Sequence, residues 1–369
     1  MKRVAWLFPS FGGGGVQRSI LRLTPAFLER GLAVDLVVVE ARGPFLKDVP
    51  PSANVTDLRA SGTLAALPRI IAYLRTVSPD ALISAQNHVN LVAALAFALA
   101  RPRTRLFLAE HNDMLEGGRR ARGVISRLRP LAARILYPLA EGIIATSRGV
   151  AESVSIVARI PSTRIHTIYN PALPEDLERL VGSEPGHPWL ASKDMPVILA
   201  VGRLALQKDF PSLLQAFAHL RTQVPARLII LGEGTQRRHL EDLAQGLGIA
   251  SHVSMPGFNE NPYACMARAD VFVLSSVYEG FANVLVEALA CGARVVSTNC
   301  RSGPAEILDG GRFGRLVPVR DAPALARAIQ DALEDKSFHR EQSIRRAAEF
   351  STPRSAEAYL KLLFPGEIL

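Results

Sequence analysis

Two glutamates, Glu279 and Glu287, bracket the apolar stretch EGFANVLVEALACG, which follows the run DVFVLSS. A buried strand leading through a short loop into an apolar helix normally rejects unpaired carboxylates, so each needs a compensating partner. Arg203 and Lys208 stand in VGRLALQKDF, at the end of another apolar run, where two cations can flank a diphosphate through charge-assisted hydrogen bonds. After Glu279 the chain runs Gly280, Phe281, Ala282, Asn283 into a helix, whose first amides, those of residues 281–283, form an anion site. Glu287 falls one turn beyond Asn283 on the same face.

A phosphate site beside a carboxylate acceptor suits a nucleoside diphosphate, whose ribose offers two hydroxyls. Glu279, in the loop itself, suits hydroxyls on whatever the diphosphate carries, and a sugar is the natural candidate. The competing reading of Glu287 is dipole compensation near a helix start, worth only about 0.3–1 kcal/mol.

A second loop, PSFGGGGVQRS, follows the first apolar run. Gly12 to Gly15 let backbone amides approach a ligand, and the helix from Val16 would present its positive end to an anion; a purely conformational role stands equally open. A dinucleotide fingerprint beginning at Gly12 would need glycine where Gln17 stands, and Glu40 lies later than the usual acidic ribose ligand, so a nicotinamide enzyme is disfavoured.

These loops need strands to hold them. VAWLF, VDLVVV, ALIS, RLFLA and GIIATS alternate with helix-length stretches, as in parallel βαβ units. The pattern stops near Tyr169-Asn170-Pro171, where proline, glycine and charge point to a linker, and restarts with VILAVGRL, ARLIILGEG, HVSMPGF, DVFVLSS and ARVVST. The expected fold is α/β, two doubly wound Rossmann-like domains facing across a cleft, with ligands beyond the strands' carboxyl ends.

The 369 residues, 48% hydrophobic and 21% charged, suffice for two cores. Neither a signal peptide nor a spanning helix is legible, since LVAALAFALA has about half the length a span needs. Cys265, Cys291 and Cys300 form no CxxC pair, which points to a reducing cytoplasm rather than disulfides or structural zinc. The net charge of +9 arises within residues 1–170, much of it in 101–140. Arginines of 118–134 alternate with Val124, Ile125, Leu128 and Leu131, a pattern continued by Ile135 and Leu136, so a basic, amphipathic helix either packs its apolar face on the domain or lies on an anionic membrane surface. No nucleic-acid module accompanies the charge.

In order along the chain, FGGGGVQRS, AEHND, VGRLALQKDF, LGEG, GFNENPYACMARADVFVLSSVYEGFANVLVEALACG and SGPAEILDGGRFGRLVP resemble the retaining glycosyltransferases of family 4 over nearly the whole sequence. The resemblance implies a GT-B architecture. An N-terminal acceptor domain, 1–170, would be completed by a helix at about 353–369, and 171–352 would hold the nucleotide-sugar, with motion about the 170–193 linker. Arg203 and Lys208 would neutralise the donor diphosphate, helped by the glycine loop (Gly13, Gly14, Gly15), by Gly234 and Gly280, and by the amides of Phe281, Ala282 and Asn283. Glu287 would bind ribose, Glu279 the transferred sugar, and His111 of AEHND, otherwise as readily a structural residue, would sit near the reacting sugar. The catalytic set is then His111, Arg203, Lys208 and Glu279, with no cofactor, no metal ligand and no Asp-x-Asp pair.

The implied reaction transfers a sugar from a UDP-hexose or UDP-N-acetylhexosamine to a lipid-linked or polysaccharide glycan, such as a polyprenyl-diphosphate-linked one, at the inner face of a membrane. A GDP-mannose-dependent transferase, an epimerase or hydrolase of nucleotide-sugars, and a non-catalytic sugar-nucleotide-binding regulator are the alternatives. SGPAEIL departs from a Gly-Gly element common in the family, leaving Glu306 either a helix cap or a ligand contact.

Overall fold

The computed structural model describes residues 1–12, 14–119 and 124–367. The chain divides into two compact units, Met1–Pro171 with Ser351–Leu369, and Ala172–Phe350.

In the first unit β1 (Arg3–Phe8), β2 (Ala33–Val38), β3 (Asn54–Asp57), β4 (Ala81–Ala85), β5 (Arg105–Glu110), β6 (Gly142–Ala145) and β7 (Ile165–Thr167) form a parallel sheet in the order β3-β2-β1-β4-β5-β6-β7. Helices α1 (Gly15–Leu28), α2 (Leu67–Thr76), α3 (Asn87–Ala100), α4 (Met114–Arg119), α5 (Val124–Leu136) and α6 (Arg148–Ala158) join them. Side chains alternate across the sheet: Ala5 and Leu7 enter one core with Ile70, Ala93 and Val154, while Val4, Trp6 and Phe8 enter the other with Ile20 and Phe27. Both faces are covered, which is why the strands read as continuous apolar runs.

The second unit has β8 (Val197–Val201), β9 (Arg227–Leu231), β10 (Val253–Gly257), β11 (Val271–Leu274), β12 (Val295–Thr298) and β13 (Arg315–Val317), parallel in the order β10-β9-β8-β11-β12-β13. Its helices are α7 (Leu177–Gly182), α8 (Pro188–Ala191), α9 (Phe210–Arg221), α10 (Arg237–Gly246), α11 (Pro262–Arg268), α12 (Asn283–Ala290), α13 (Pro304–Ile307), α14 (Ala322–Glu334) and α15 (Arg340–Ala348). Leu213 and Phe217 of α9 and Leu325 and Ile329 of α14 pack with Ile198, Ile230, Val273 and Val296.

A last helix, α16 (Thr352–Leu363), packs in the first unit. Its Tyr359 ring stands edge-on to Trp6 at 5.4 Å and to Phe27 at 6.3 Å, and Ser355 Oγ donates to the Tyr169 carbonyl at 2.8 Å.

The stretch expected as a linker starts where the two units divide, at Pro171, and is docked on the second unit. Asn261 Nδ2 donates to the Leu180 carbonyl at 2.8 Å, Cys265 Sγ to that of Pro185 at 3.1 Å, and His187 Nε2 lies 3.0 Å from Ser254 Oγ. Proline and glycine had signalled irregular backbone, but irregular backbone can still be anchored by its carbonyls.

On α5, Ala133 is buried and Leu136 half-buried, but Leu128, Leu131 and Ile135 are 54%, 54% and 64% exposed beside exposed Arg129 and Arg134. Residues 120–123 and the side chains of Val124 and Ile125 lie outside the described residues. Among the described residues no helix is long and apolar enough to cross a membrane.

Candidate active site

In each sheet the strand order reverses once, between β1 and β4 and between β8 and β11, and such reversals open a crevice at the strands' carboxyl ends. In the second unit the loops flanking the crevice carry Arg203 and Lys208 on one side and Glu279 on the other.

Lys208 Nζ lies 2.6 Å from Glu279 Oε1, with the two side chains 17% and 9% exposed. Ser276 Oγ donates to the same oxygen at 2.6 Å, and Gln207 Nε2 donates to Glu279 Oε2 at 3.4 Å and to the Tyr278 carbonyl at 3.0 Å. Backbone bonds fasten the loops: Val277 N–H to the Gln207 carbonyl at 2.9 Å, and Ser275 Oγ to the Lys208 carbonyl at 2.6 Å. The carboxylate is thus compensated, answering the desolvation that its position imposes.

Arg203 is exposed, and its guanidinium has no hydrogen bond or ion pair to other described residues. Its loop is held by glycines. A Cβ on Gly232, at φ +140°, would come 2.0 Å from the Gly202 carbonyl oxygen, and one on Gly234 would come 2.3 Å from that of Leu204. Gly234 therefore has a packing reason to be glycine, independent of any donor.

Beyond Glu279, Phe281 and Ala282 are buried, and Ala282 takes the left-handed conformation (φ 67°, ψ 59°) that turns the chain into α12 at Asn283. Gly303 sits so close that a Cβ would meet the Phe281 carbonyl oxygen at 2.4 Å. Glu287 is 5% exposed and accepts from the Tyr263 hydroxyl at 3.3 Å. The first turn of α12 holds no acidic residue, since Glu287 belongs to the second turn, where dipole compensation has faded. Lys208 and Glu279 are in contact, Gly280 to Asn283 continue the same loop, and Glu287 lies one turn on.

In the first unit the loop after β1 is pinned by Phe11, whose N–H donates to the Arg42 carbonyl at 2.9 Å. Gly14 precedes Gly15, the first residue of α1, with extended backbone (φ −131°, ψ 164°). A Cβ on Gly12 would meet only Ser10 Oγ at 3.6 Å, and one on Gly14 would meet the Gln17 side-chain oxygen at 2.8 Å, so no backbone contact requires glycine at either position. Gly13 lies outside the described residues. Glu40 pairs with exposed Arg42 at 2.8 Å.

His111 follows β5, is 8% exposed, and neither ring nitrogen has a hydrogen-bond partner among the described residues. Burial pushes its pKa down to about 4, so the ring is neutral near pH 7, with one N–H and one lone pair to offer. Asp113 is spent locally, accepting from the Leu115 and Glu116 amides at 2.9 and 3.2 Å.

Several residues near these strand ends escaped sequence reasoning. Gln207 and Ser276 adjoin the named Lys208 and Glu279, so proximity could have found them, whereas Tyr263 reaches Glu287 from another helix. Gln86, at the end of β4, holds an uncommon φ of 82°, and Phe258, after β10, is 71% exposed. The strand-end rule applied to ALIS would have flagged Gln86.

The chain is similar to known proteins over nearly its whole length. The family described as Glycosyltransferase Family 4 matches residues 13–175, and that described as Glycosyl transferases group 1 matches 187–350. A Campylobacter jejuni protein, N-acetylgalactosamine-N,N'-diacetylbacillosaminyl-diphospho-undecaprenol 4-alpha-N-acetylgalactosaminyltransferase, is 29% identical across 98% of this chain and 100% of its own. The lipopolysaccharide core biosynthesis glycosyltransferase LpsE of Rhizobium meliloti is 27% identical across 95% and 96%. The crystal structure of Anabaena HepE in complex with UDP superposes with a TM-score of 0.77 at 22% identity, over 98% of this chain and 99% of that one. The chain has the GT-B architecture and belongs to the glycosyltransferases of family 4, retaining enzymes that transfer a sugar from a nucleotide-sugar.

Proposed function

We propose that the protein transfers a sugar from a UDP-hexose or UDP-N-acetylhexosamine, with retention, to a lipid-linked or polysaccharide glycan, forming an α-glycosidic bond without a metal ion. The observation that carries this reading is the 2.6 Å contact of Lys208 with Glu279 where the strand order of the second unit reverses. In the reaction the bond from the anomeric carbon to the phosphate oxygen breaks, one to the acceptor hydroxyl oxygen forms, and the hydroxyl proton passes to the departing diphosphate. The departing UDP gains negative charge, which Lys208, Arg203 and the amides at the start of α12 stabilise without reorganising. Glu287 takes the ribose hydroxyls, Glu279 takes those of the sugar, and the neutral His111 ring serves the reacting sugar from the acceptor side. Attack from the front face, assisted by the leaving phosphate, needs no side-chain nucleophile, and none is assigned.

UDP as the carrier is supported by the relative solved with UDP, and a polyprenyl-linked acceptor by the relative named for an undecaprenol substrate. The exposed Leu128, Leu131 and Ile135 beside Arg129 support a seat for α5 on an anionic membrane surface, where such an acceptor would be met.

Calorimetric titration with UDP, GDP and ADP, with and without EDTA, tests this. Selective UDP binding that survives EDTA is expected. A preference for GDP would move the donor towards GDP-mannose, and binding of none of the three would remove the site assignment.

A further inference from the structure

The turn that carries His111 is preceded by a buried carboxyl group with no part in the scheme above. Glu110, the last residue of β5, is 1% exposed. Its Oε1 accepts from three donors: the Tyr137 hydroxyl, Asn90 Nδ2 at 2.9 Å and Asn87 Nδ2 at 3.3 Å. Asn87 Nδ2 also lies 2.9 Å from the Tyr137 hydroxyl. Asn90 in turn donates to the Ala109 carbonyl at 3.0 Å and accepts from Ser84 Oγ at 2.7 Å. Ser84, Asn90 and Tyr137 are each fully buried.

Three pieces of chain meet on this one carboxyl, the first turn of α3 through Asn87 and Asn90, the end of β5, and the segment leaving α5 through Tyr137, and β4 joins them through Ser84, which donates to Asn90. In a dry interior such a network specifies a single arrangement, because any displacement leaves a donor or acceptor unpaired. Burial raises the titration of both the Glu110 carboxyl and the Tyr137 phenol, while the hydrogen bonds from Tyr137, Asn90 and Asn87 pull that of Glu110 back down. The His111 ring, by contrast, has no hydrogen bond to orient it among the described residues. Its placement therefore depends on packing and on the backbone beside it, and the planar peptide joining Glu110 to His111 transmits whatever holds Glu110.

We propose that Glu110 is a positioning residue that, through Tyr137, Asn87 and Asn90, clamps the turn presenting His111 and so acts on sugar transfer through that ring without touching either substrate. The proposal rests on the reading of His111 as the acceptor-side catalytic group.

A double-mutant cycle separates the two. Turnover of UDP-N-acetylgalactosamine and UDP-glucose is followed as UDP release, with UDP affinity and Tm measured on every variant. Glu110→Ala is expected to lower kcat about tenfold or more with donor KM within about twofold, and His111→Ala to lower it at least as far. Glu110→Gln, which keeps the accepting oxygen, should retain kcat within about threefold. In the His111→Ala background, Glu110→Ala should cost nothing further, since its effect passes through the missing ring. If both single losses multiply in the double variant, Glu110 acts elsewhere and the proposal fails. If His111→Ala turns over like the wild type, the underlying reading fails instead. Should Glu110→Ala not fold, Tyr137→Phe, which removes one hydroxyl at constant shape, runs through the same cycle with a smaller expected loss.

Discussion

At the scale of single residues, the proposed reaction assigns Lys208 and Glu287 to one donor site but to different moments of the transfer. Ribose contacts persist from ground state to transition state, whereas charge on the leaving diphosphate grows only as the bond breaks. Lys208→Ala should therefore lower kcat about 100- to 1,000-fold with little change in donor KM, and Glu287→Ala should weaken UDP binding about tenfold with a smaller effect on kcat. Steady-state kinetics with UDP calorimetry checks the split, and equal changes in both parameters for both variants would contradict it. Lys208→Ala also strands Glu279 among Ser276 and Gln207, so its Tm should fall; adding Glu279→Gln should recover Tm but not kcat. His111 carries a separate pH signature. Its pKa is about 4 in the folded chain against an ordinary 6.5, so above pH 6.5 both states are neutral and nothing is gained or lost. As pH falls from 6.5 towards 4 the unfolded chain takes up a proton the folded one refuses, and stability is lost progressively. Comparing Tm of His111→Gln with wild type from pH 7.5 to 4 should show a shallower decline in the variant; parallel curves would mean the ring is not held neutral.

At the scale of elements, legibility of the first unit's strands in the sequence followed burial. The runs VAWLF, VDLVVV, ALIS, RLFLA and GIIATS fall on β1, β2, β4, β5 and β6, because strands covered on both faces must be apolar throughout. The edge strands β3, NVTD, and β7, IHT, are partly exposed and polar, so no apolar run announced them. The same logic governs the candidate site. Strand ends named the loops of Lys208 and Glu279, which are then found in contact, but the cluster on Glu110 joins residues up to 53 positions apart that only topology brings together. For α5 the sequence left two readings open, and the structure shows Leu128, Leu131 and Ile135 uncovered. Burying such side chains in a lipid interface is worth about 25 cal/mol per Å² of apolar area, with added attraction between arginines and anionic headgroups. Leu131→Glu/Ile135→Glu should then reduce co-sedimentation with phosphatidylglycerol-containing vesicles about tenfold while leaving UDP titration unchanged. Unchanged sedimentation would return α5 to the role of a solvated surface helix.

At the scale of the molecule, the chain builds two units but does not finish the first until its last helix. Tyr359, Leu360, Leu363 and Phe364 are 3%, 7%, 0% and 4% exposed, packed in the core that contains Trp6 and Phe27. Full burial of such side chains is worth about 1.5–3 kcal/mol each, so ending the chain after Phe350 removes on the order of 8 kcal/mol from the first unit. That rivals the whole stability of an ordinary domain, about 5–15 kcal/mol. The second unit keeps all of its own contacts in such a truncation, including the Phe281–Phe350 ring pair at 5.3 Å that backs the loop leading into α12. The two tryptophans report separately, Trp6 from the first unit and Trp189 from the second. In a Trp189→Phe background, truncation after Phe350 should shift Trp6 emission to the red and abolish one calorimetric transition. UDP should still raise the Tm of the transition that remains, because a ligand stabilises only the unit that binds it. A truncated chain with native Trp6 emission would show that α16 is dispensable to the first unit. Loss of the UDP response would show instead that the second unit does not hold the nucleotide alone.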